Sequence, residues 1–309
     1  MGFVGRALCK HLAESGYHVR GAVRGDCQQQ ANIEYVAIGN LESVSRAEWI
    51  DLLDDVKVVI HCAALVHQMN GVANPDTYYR INTAATGVLA EAAAEAGVRR
   101  FVFLSTVKVL GEFTEPGRPF GADASPNPQD DYAHSKWLAE QALTAVGERT
   151  GMEAVIVRPP LIYGPGVGGN FRSLMRLVQR GVPLPLGAVD NRRSLLALDN
   201  LVDVLSLCVR AEQPIAGTYL VSDGADISTR ELVCALAHAQ GVRPRLLPVP
   251  VYWLRFVGRV LGKSAAIDRL CENFQVDIGQ TKHILGWEPR HTISSVLEKV
   301  QAALTSDHA

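Results

Sequence analysis

Apolar positions along the first half of the chain follow two alternating rhythms. Helical spacing at Val4, Leu8 and Leu12 predicts a first helix, and short apolar runs separated by further helical patterns predict strands. The strands are expected at residues 18–23, 33–38, 56–62, 100–105 and 154–157. This alternation predicts an α/β fold with a doubly wound, parallel, Rossmann-like sheet, which binds ligands at the carboxyl ends of its strands.

The alternation loosens after about Pro159, where prolines and glycines cluster. Helices are expected there at residues 171–180, 231–240 and around 252–261. We therefore divide the chain into a Rossmann-like domain at residues 1–160 and a smaller C-terminal substrate-binding lobe at 161–309. The lobe is expected to interleave with the last strands of the sheet.

The N-terminus lacks the strand with which a dinucleotide-binding domain begins. Such domains run from a strand through Gly-x-x-Gly-x-x-Gly into a helix whose N-terminus holds a pyrophosphate. Gly2 and Gly5 match the second and third glycines, and the first glycine is absent. Because that strand lies in the middle of the sheet, its loss would leave unpaired backbone at a gap. We expect Met1 to be an internal methionine of the glycine loop, which mass spectrometry of the natural protein would test.

Composition adds mainly exclusions. The 309 residues are 48% hydrophobic, which is enough for a large domain and a smaller one. The net charge of −2 gives no reason to expect a nucleic acid or a membrane as partner. No membrane span or signal peptide is visible. The six cysteines form no Cys-x-x-Cys pair, so we expect a reduced, cytoplasmic protein without a metal site.

A tyrosine and a lysine four residues apart carry the candidate chemistry. Tyr132 and Lys136 would lie on one face of a helix, where the ammonium group is expected to lower the pKa of the phenol. Ser105 and Thr106 precede them, and the Thr106 hydroxyl would contact the same substrate oxygen. Together these groups could move a proton at a carbinol oxygen while a cofactor takes or gives a hydride. The set predicts alcohol–ketone redox chemistry, although a solvated helix face shows the same spacing.

Taken in order, the motifs resemble the extended short-chain dehydrogenase/reductase family, in its branch of nucleotide-sugar epimerases, dehydratases and reductases. They span nearly the whole chain, at residues 2–5, 61–64, 82, 105–111, 132–136, 158–166 and 285–289. The resemblance implies an NAD(P)-binding first domain with Tyr132 as the proton-transferring residue. It also implies that Lys136 binds the nicotinamide ribose and that the enzyme forms a homodimer.

The same resemblance implies a cofactor site assembled from several loops. Arg24 follows the strand at 18–23, where NAD-specific relatives carry an acidic residue, and this favours NADP over NAD. A solvated loop arginine would look the same, so both cofactors stay open. Asn40 could equally be a turn residue. The candidate cofactor-binding residues are Gly2, Phe3, Val4, Gly5, Arg24, Asn40, Leu41, Ala63, Ala64, Tyr132, Lys136 and Pro159.

Substrate contacts are expected from the second half of the chain and from the loop after residue 105. Arg193 resembles the arginine that holds the diphosphate of the sugar nucleotide, as a guanidinium does well. Asn170 would lie near the diphosphate or cap the helix that follows it. Lys108 and His67 could line the sugar pocket, although an ordinary surface or core position accounts better for each of them.

The two residues that follow Thr106 distinguish the dehydratases of this branch from its other enzymes. The dehydratases carry Asp-Glu there, whereas this chain has Val107 and Lys108, so we reject dehydration. The favoured function is a 4-keto-sugar reductase that acts at C4 of a UDP-linked sugar for surface polysaccharides. The alternatives are a 4-epimerase of UDP-hexoses or UDP-N-acetylhexosamines and a non-catalytic dinucleotide-sensing protein. The intact set of Thr106, Tyr132 and Lys136 argues against the last of these.

Overall fold

The computed structural model describes residues 1–25, 27, 30–66 and 74–306, with side chains to residue 302. Strands and helices alternate through the first half. Its elements are α1 (Phe3–Glu14), β1 (Val19–Val23), β2 (Ile33–Ala37), α2 (Arg46–Leu52), β3 (Val58–His61), α3 (Pro75–Tyr78), α4 (Ala85–Glu95), β4 (Arg100–Leu104), α5 (Asp131–Thr150) and β5 (Glu153–Arg158). A π-helix at Tyr79–Ala84 and 3₁₀ turns at Leu41–Ser43 and Val107–Val109 complete this half.

The second half adds short strands and several helices. They are β6 (Leu161–Tyr163), α6 (Gly169–Gln179), β7 (Leu195–Ala197), α7 (Leu198–Arg210), β8 (Gly217–Leu220), α8 (Thr229–Ala239), α9 (Val251–Val260), α10 (Ser264–Cys271), α11 (Gly279–Leu285) and α12 (Ile293–Ser306). No helix in the described part of the chain is long and apolar enough to cross a membrane.

All named strand pairs are parallel, as the alternation predicts. The main sheet has the order β3-β4-β5-β8, so a strand from the second half of the chain completes it. Among the described residues, β1 and β2 form a separate two-stranded sheet, and β6 and β7 form another. The single sheet that the alternation predicts is therefore interrupted, because β1 and β3 belong to different sheets. The expectation about Met1 stays a prediction.

Strand β4 shows why the main sheet is covered on both faces. Val102 and Leu104 pack in one cluster with Leu8 and Leu12 of α1 and with Leu201 and Leu205 of α7. Phe101 and Phe103 point to the other face and pack with Leu89 of α4 and Leu143 of α5. Because successive strand side chains alternate between faces, an uninterrupted apolar strand requires helices on both sides. Each such buried side chain stabilises the fold by about 1.5–3 kcal/mol.

The predicted boundaries agree with the structure to within about two residues, with one correction at a helix start. The helix expected at 171–180 runs from Gly169 to Gln179, and Gly168 occupies its N-cap in an extended conformation. Asn170 is exposed inside the first turn, so the interpretation of Asn170 as the N-cap is wrong. The second half of the chain has its own hydrophobic core, which includes Tyr163, Met175 and Leu236.

Candidate active site

Helix α5 carries both members of the tyrosine–lysine pair in its first two turns. Asp130 caps the helix, because its Oδ1 accepts a hydrogen bond from the N–H of Ala133 at 2.7 Å. Tyr132 is partly exposed, whereas Lys136 is only 1% exposed. The Lys136 Nζ lies 3.8 Å from the ring centroid of Phe103, so β4 provides an aromatic face beneath the cation.

Burial sets the proton affinities of this pair. It lowers the pKa of Lys136 to about 7, against the opposing effect of Glu140 and Cys62. It also raises the pKa of Tyr132, and Asp130 and Tyr78 act in the same direction. The net shift of the Tyr132 pKa is therefore upward, opposite to the lowering expected from Lys136, because loss of solvation disfavours the phenolate. At neutral pH the phenol is protonated and the lysine amine is close to its midpoint.

A buried ionic network lies one turn beyond Lys136. Glu140 accepts hydrogen bonds from Arg158 Nε at 3.0 Å and from Arg158 Nη2 at 2.5 Å. The Ser105 hydroxyl donates to Oε1 of the same carboxylate. All three side chains are buried, so the end of β4, the end of β5 and α5 are joined by charge-assisted hydrogen bonds. The sequence analysis missed Glu140 and Arg158, although the spacing of four residues from Lys136 to Glu140 was a visible signal.

Asn82 joins the loop after β3 to helix α5. Its Oδ1 accepts from the Leu65 N–H at 2.8 Å, and its Nδ2 donates to the Leu65 carbonyl and the Ser135 hydroxyl, each at 3.0 Å. Ser135 in turn donates to the Tyr132 carbonyl at 2.8 Å. Asn82 is buried within the π-helix, which allows these contacts to be made from one side chain. The predicted loop residues Ala63 and Ala64 are thereby held beside α5.

Thr106 and Pro159 follow the carboxyl ends of β4 and β5, respectively. These strands are neighbours, with Leu104 opposite Val157, and the Val107 N–H donates to the Pro159 carbonyl at 3.0 Å. The Thr106 hydroxyl accepts from the Lys108 N–H at 3.2 Å and so caps a 3₁₀ turn. The structure therefore places these predicted residues at the edge of the sheet where ligands bind in this fold.

The side chain of Lys108 reaches the N-terminus of α5 from the 3₁₀ turn at Val107–Val109. Its ammonium group forms an ion pair with Asp130 and a second pair with Glu112 at 3.3 Å. Asp130 is also the N-cap of α5 and one of the groups that raise the pKa of Tyr132. Lys108 therefore partly neutralises a carboxylate beside the phenol, a contact that the sequence did not indicate.

The N-terminus of α1 presents the predicted glycine loop. Gly2 is the N-cap, and Phe3, Val4 and Gly5 form the first turn, whose N–H groups have no partner earlier in the helix. A Cβ on Gly2 would meet no heavy atom within 4 Å, so the space before the helix is open. Phe3 approaches the loop after β6, 3.9 Å from the position of a Cβ on Gly166. Open, N–H-bearing helix N-termini fit phosphate groups.

Two further cofactor candidates follow β1 and β2. Arg24 is exposed in the bend after β1. Asn40 precedes the 3₁₀ turn that contains Leu41, and its carbonyl accepts from the Ser43 N–H at 2.9 Å. Both lie at the carboxyl ends of parallel strands, where the cofactor is expected.

Arg193, a candidate substrate-binding residue in the second half of the chain, is held by backbone and side-chain contacts. Its backbone pairs with Ile227 at 3.0 Å in both directions, and Nη1 donates to the Glu272 carbonyl at 3.0 Å. The guanidinium lies over the Phe274 ring, 5.5 Å from its centroid. Burial lowers the pKa of Arg193 to about 10, with Arg269 acting in the same direction. It remains cationic at neutral pH. His67 lies outside the described residues.

Comparisons with known proteins agree with this architecture. A model described as the NAD dependent epimerase/dehydratase family matches residues 1–221. The UDP-glucose 4-epimerase of Vibrio cholerae is 42% identical over 306 residues, which cover 98% of this chain and 92% of that protein.

Two solved structures are similar in fold. MoeE5, in complex with UDP-glucuronic acid and NAD, gives a TM-score of 0.81 at 23% identity, over 99% of this chain and 97% of the other. The UDP-glucose 4-epimerase of Thermotoga maritima, with UDP-glucose, gives a TM-score of 0.80 at 20% identity, over 100% of this chain and 97% of the other.

Proposed function

The chain belongs to the NAD dependent epimerase/dehydratase family, and on that premise we propose that it is a 4-epimerase of UDP-hexoses. The observation that carries the proposal is the 42% identity, over 98% of the chain, to the Vibrio cholerae UDP-glucose 4-epimerase. Inversion of UDP-glucose at C4 gives UDP-galactose. The sequence analysis favoured a 4-keto-sugar reductase, and the comparisons support its epimerase alternative better. The reductase was favoured because Arg24 suggested NADP, which a reductase consumes at each turnover, and one exposed arginine does not show whether the cofactor is released.

The residues of the site fit NAD. The open N-terminus of α1, with Gly2 as its N-cap, would hold the pyrophosphate. Lys136 and the loop of Ala63 and Ala64 would hold the nicotinamide half, because Asn82 fixes that loop against α5. When bound, NAD supplies a reversible hydride acceptor for C4 of the sugar.

Tyr132 and Lys136 supply the proton chemistry in this proposal. Oxidation at C4 requires the 4-hydroxyl to lose a proton, and reduction of the ketone requires the oxygen to regain one. The phenol oxygen of Tyr132 would exchange that proton with the substrate oxygen. Lys136 lies one turn away with a pKa of about 7, so its Nζ can hold or release a proton near neutral pH.

The remaining polar groups would position the sugar nucleotide. The Thr106 hydroxyl lies at the end of β4 and would contact the 4-oxygen, and Arg193 would bind the diphosphate. Val107 is buried and Lys108 is paired with Asp130, so these two positions offer no carboxylic acid for dehydration. This arrangement supports epimerisation, which needs proton transfer at one oxygen only.

Proton NMR of the anomeric signals tests the proposal. We expect the purified chain with NAD to convert UDP-glucose into UDP-galactose without net consumption of cofactor. Tyr132→Phe should lower the rate about 10²–10⁴-fold. Tyr17→Phe, which alters an exposed phenol, should leave it unchanged. UDP-N-acetylglucosamine and UDP-glucuronic acid complete the substrate panel. Failure to interconvert any of these, together with stoichiometric NAD(P)H consumption on a UDP-4-keto-sugar, would establish the reductase instead.

A further inference from the structure

Helix α9 turns an apolar face toward solvent. Tyr252, Trp253, Phe256, Val257 and Val260 are each between 49% and 70% exposed. At 100° per residue they cover a sector of about 140°, opposite the side that the helix buries. A soluble helix normally places such a stripe against the core, and contiguous exposed apolar surface marks an interaction site.

The body of the protein holds this helix firmly on its other side. Leu254 and Gly258 are buried, and a Cβ on Gly258 would lie only 2.7 Å from Cγ1 of Ile267. Gly258 is therefore needed for the close packing of α9 against α10. Arg255 also forms ion pairs with Asp268 and Glu272. These contacts fix the position of α9 with its apolar stripe facing solvent.

The segment around α9 is strongly basic in a chain of net charge −2. Residues 232–267 contain no aspartate or glutamate and five cationic residues, namely Arg243, Arg245, Arg255, Arg259 and Lys263. Among the described residues, no carboxylate pairs with Arg259 or Lys263 within 4.0 Å. Arg255 is neutralised by Asp268 and Glu272, so the positive charge beside the apolar face comes from Arg259, in the last turn of α9, and from Lys263, just after it.

We propose that α9 docks this protein onto the surface of a membrane that contains anionic lipid headgroups. Tyr and Trp side chains favour the boundary between headgroups and acyl chains, and flanking cations are attracted by anionic lipids. A helix with these two features lies in the plane of the interface without crossing it. Against a second copy of the same face, Arg259 and Lys263 would meet like charges, which disfavours a symmetric dimer at this surface.

Vesicle binding by the 309-residue chain tests this assignment. Flotation with phosphatidylcholine vesicles that contain about 30% phosphatidylglycerol should recover the protein, and pure phosphatidylcholine vesicles should recover much less. Arg259→Gln with Lys263→Gln should weaken binding about 25-fold, at about fivefold for each charge. Trp253→Ser with Phe256→Ser should weaken it at least about tenfold. Raising the salt concentration should weaken wild-type binding further.

Matched variants elsewhere on the surface serve as controls. Lys10→Gln with Arg118→Gln removes two exposed charges, and Ile284→Ser removes an exposed apolar side chain of α11. Both should bind vesicles as the wild type does. Equal losses in these controls, equal binding to both vesicle types, or no binding of the wild type would overturn the proposal. A dimer that Trp253→Ser with Phe256→Ser converts to monomers in sedimentation velocity would assign the face to a second copy instead.

Discussion

Removing the charge of Glu140 should destabilise the protein strongly and lower the pKa of Lys136 on the same helix. Glu140→Gln preserves the side-chain volume, so no cavity forms and the effect is electrostatic. The carboxylate accepts two hydrogen bonds from Arg158 and one from Ser105. The side chains of Glu140 and Arg158 are each less than a tenth exposed. The variant leaves the Arg158 guanidinium buried without its counter-charge.

Removing the charge of one member of a buried ion pair lowers the free energy of unfolding by about 3–5 kcal/mol. The expected fall in the free energy of unfolding is therefore about 4 kcal/mol, a large fraction of the 5–15 kcal/mol typical of a folded domain. Adding Arg158→Met to Glu140→Gln should recover part of the loss, because the orphaned charge is removed. Glu140 also raises the pKa of Lys136, so the single variant should shift that pKa below about 7.

Urea denaturation at pH 7, followed by circular dichroism, measures the free energies. The control is Glu148→Gln, on an exposed position of the same helix, which should change stability by no more than about 0.5 kcal/mol. The pH–rate profile of Glu140→Gln should show its Lys136-dependent limb at lower pH than the wild type. If Glu140→Gln costs no more than Glu148→Gln, the buried network does not stabilise the fold as described.

Two further predictions concern pH and backbone strain. Because the folded pKa of Lys136 is about 7, the unfolded chain binds more protons than the folded chain from about pH 7 to 10. The free energy of unfolding of the wild type, relative to that of Lys136→Met, should therefore rise by about 1 kcal/mol per pH unit between pH 7 and 9. A difference between the two proteins that does not change with pH in urea denaturation would contradict this. Gly164 has φ +155° with a Cβ position 2.9 Å from Cβ of Leu198, so Gly164→Ala should cost about 1–3 kcal/mol by the same assay, whereas no loss would contradict the strain.

The sequence predicted most of the strands because their apolar runs are uninterrupted. Residues 100–105 show this most clearly, since the structure places β4 at Arg100–Leu104 with helices on both faces. The π-helix at Tyr79–Ala84 was not predicted, because one extra residue in a turn hardly changes the apolar spacing around Ile81 and Ala85.

The site was only partly visible in the sequence. The spacing of Tyr132 and Lys136 identified one helix face, but it gave no measure of burial, and burial reverses the expected shift of the phenol pKa. Glu140 and Arg158 were missed because the pair joins α5 to β5, a contact that depends on tertiary packing. Arg24 suggested a cofactor preference that a single exposed side chain cannot carry.

The central proposal, that this chain inverts C4 through reversible oxidation within one closed site, is tested most directly with UDP-[4-²H]glucose. The purified chain with NAD is incubated in ordinary water, and the UDP-galactose formed is analysed by mass spectrometry and NMR. We expect the deuterium to remain at C4 of the product, with no additional nicotinamide consumed. Loss of the deuterium to solvent or to free reduced cofactor, or the absence of UDP-galactose, would contradict the proposal.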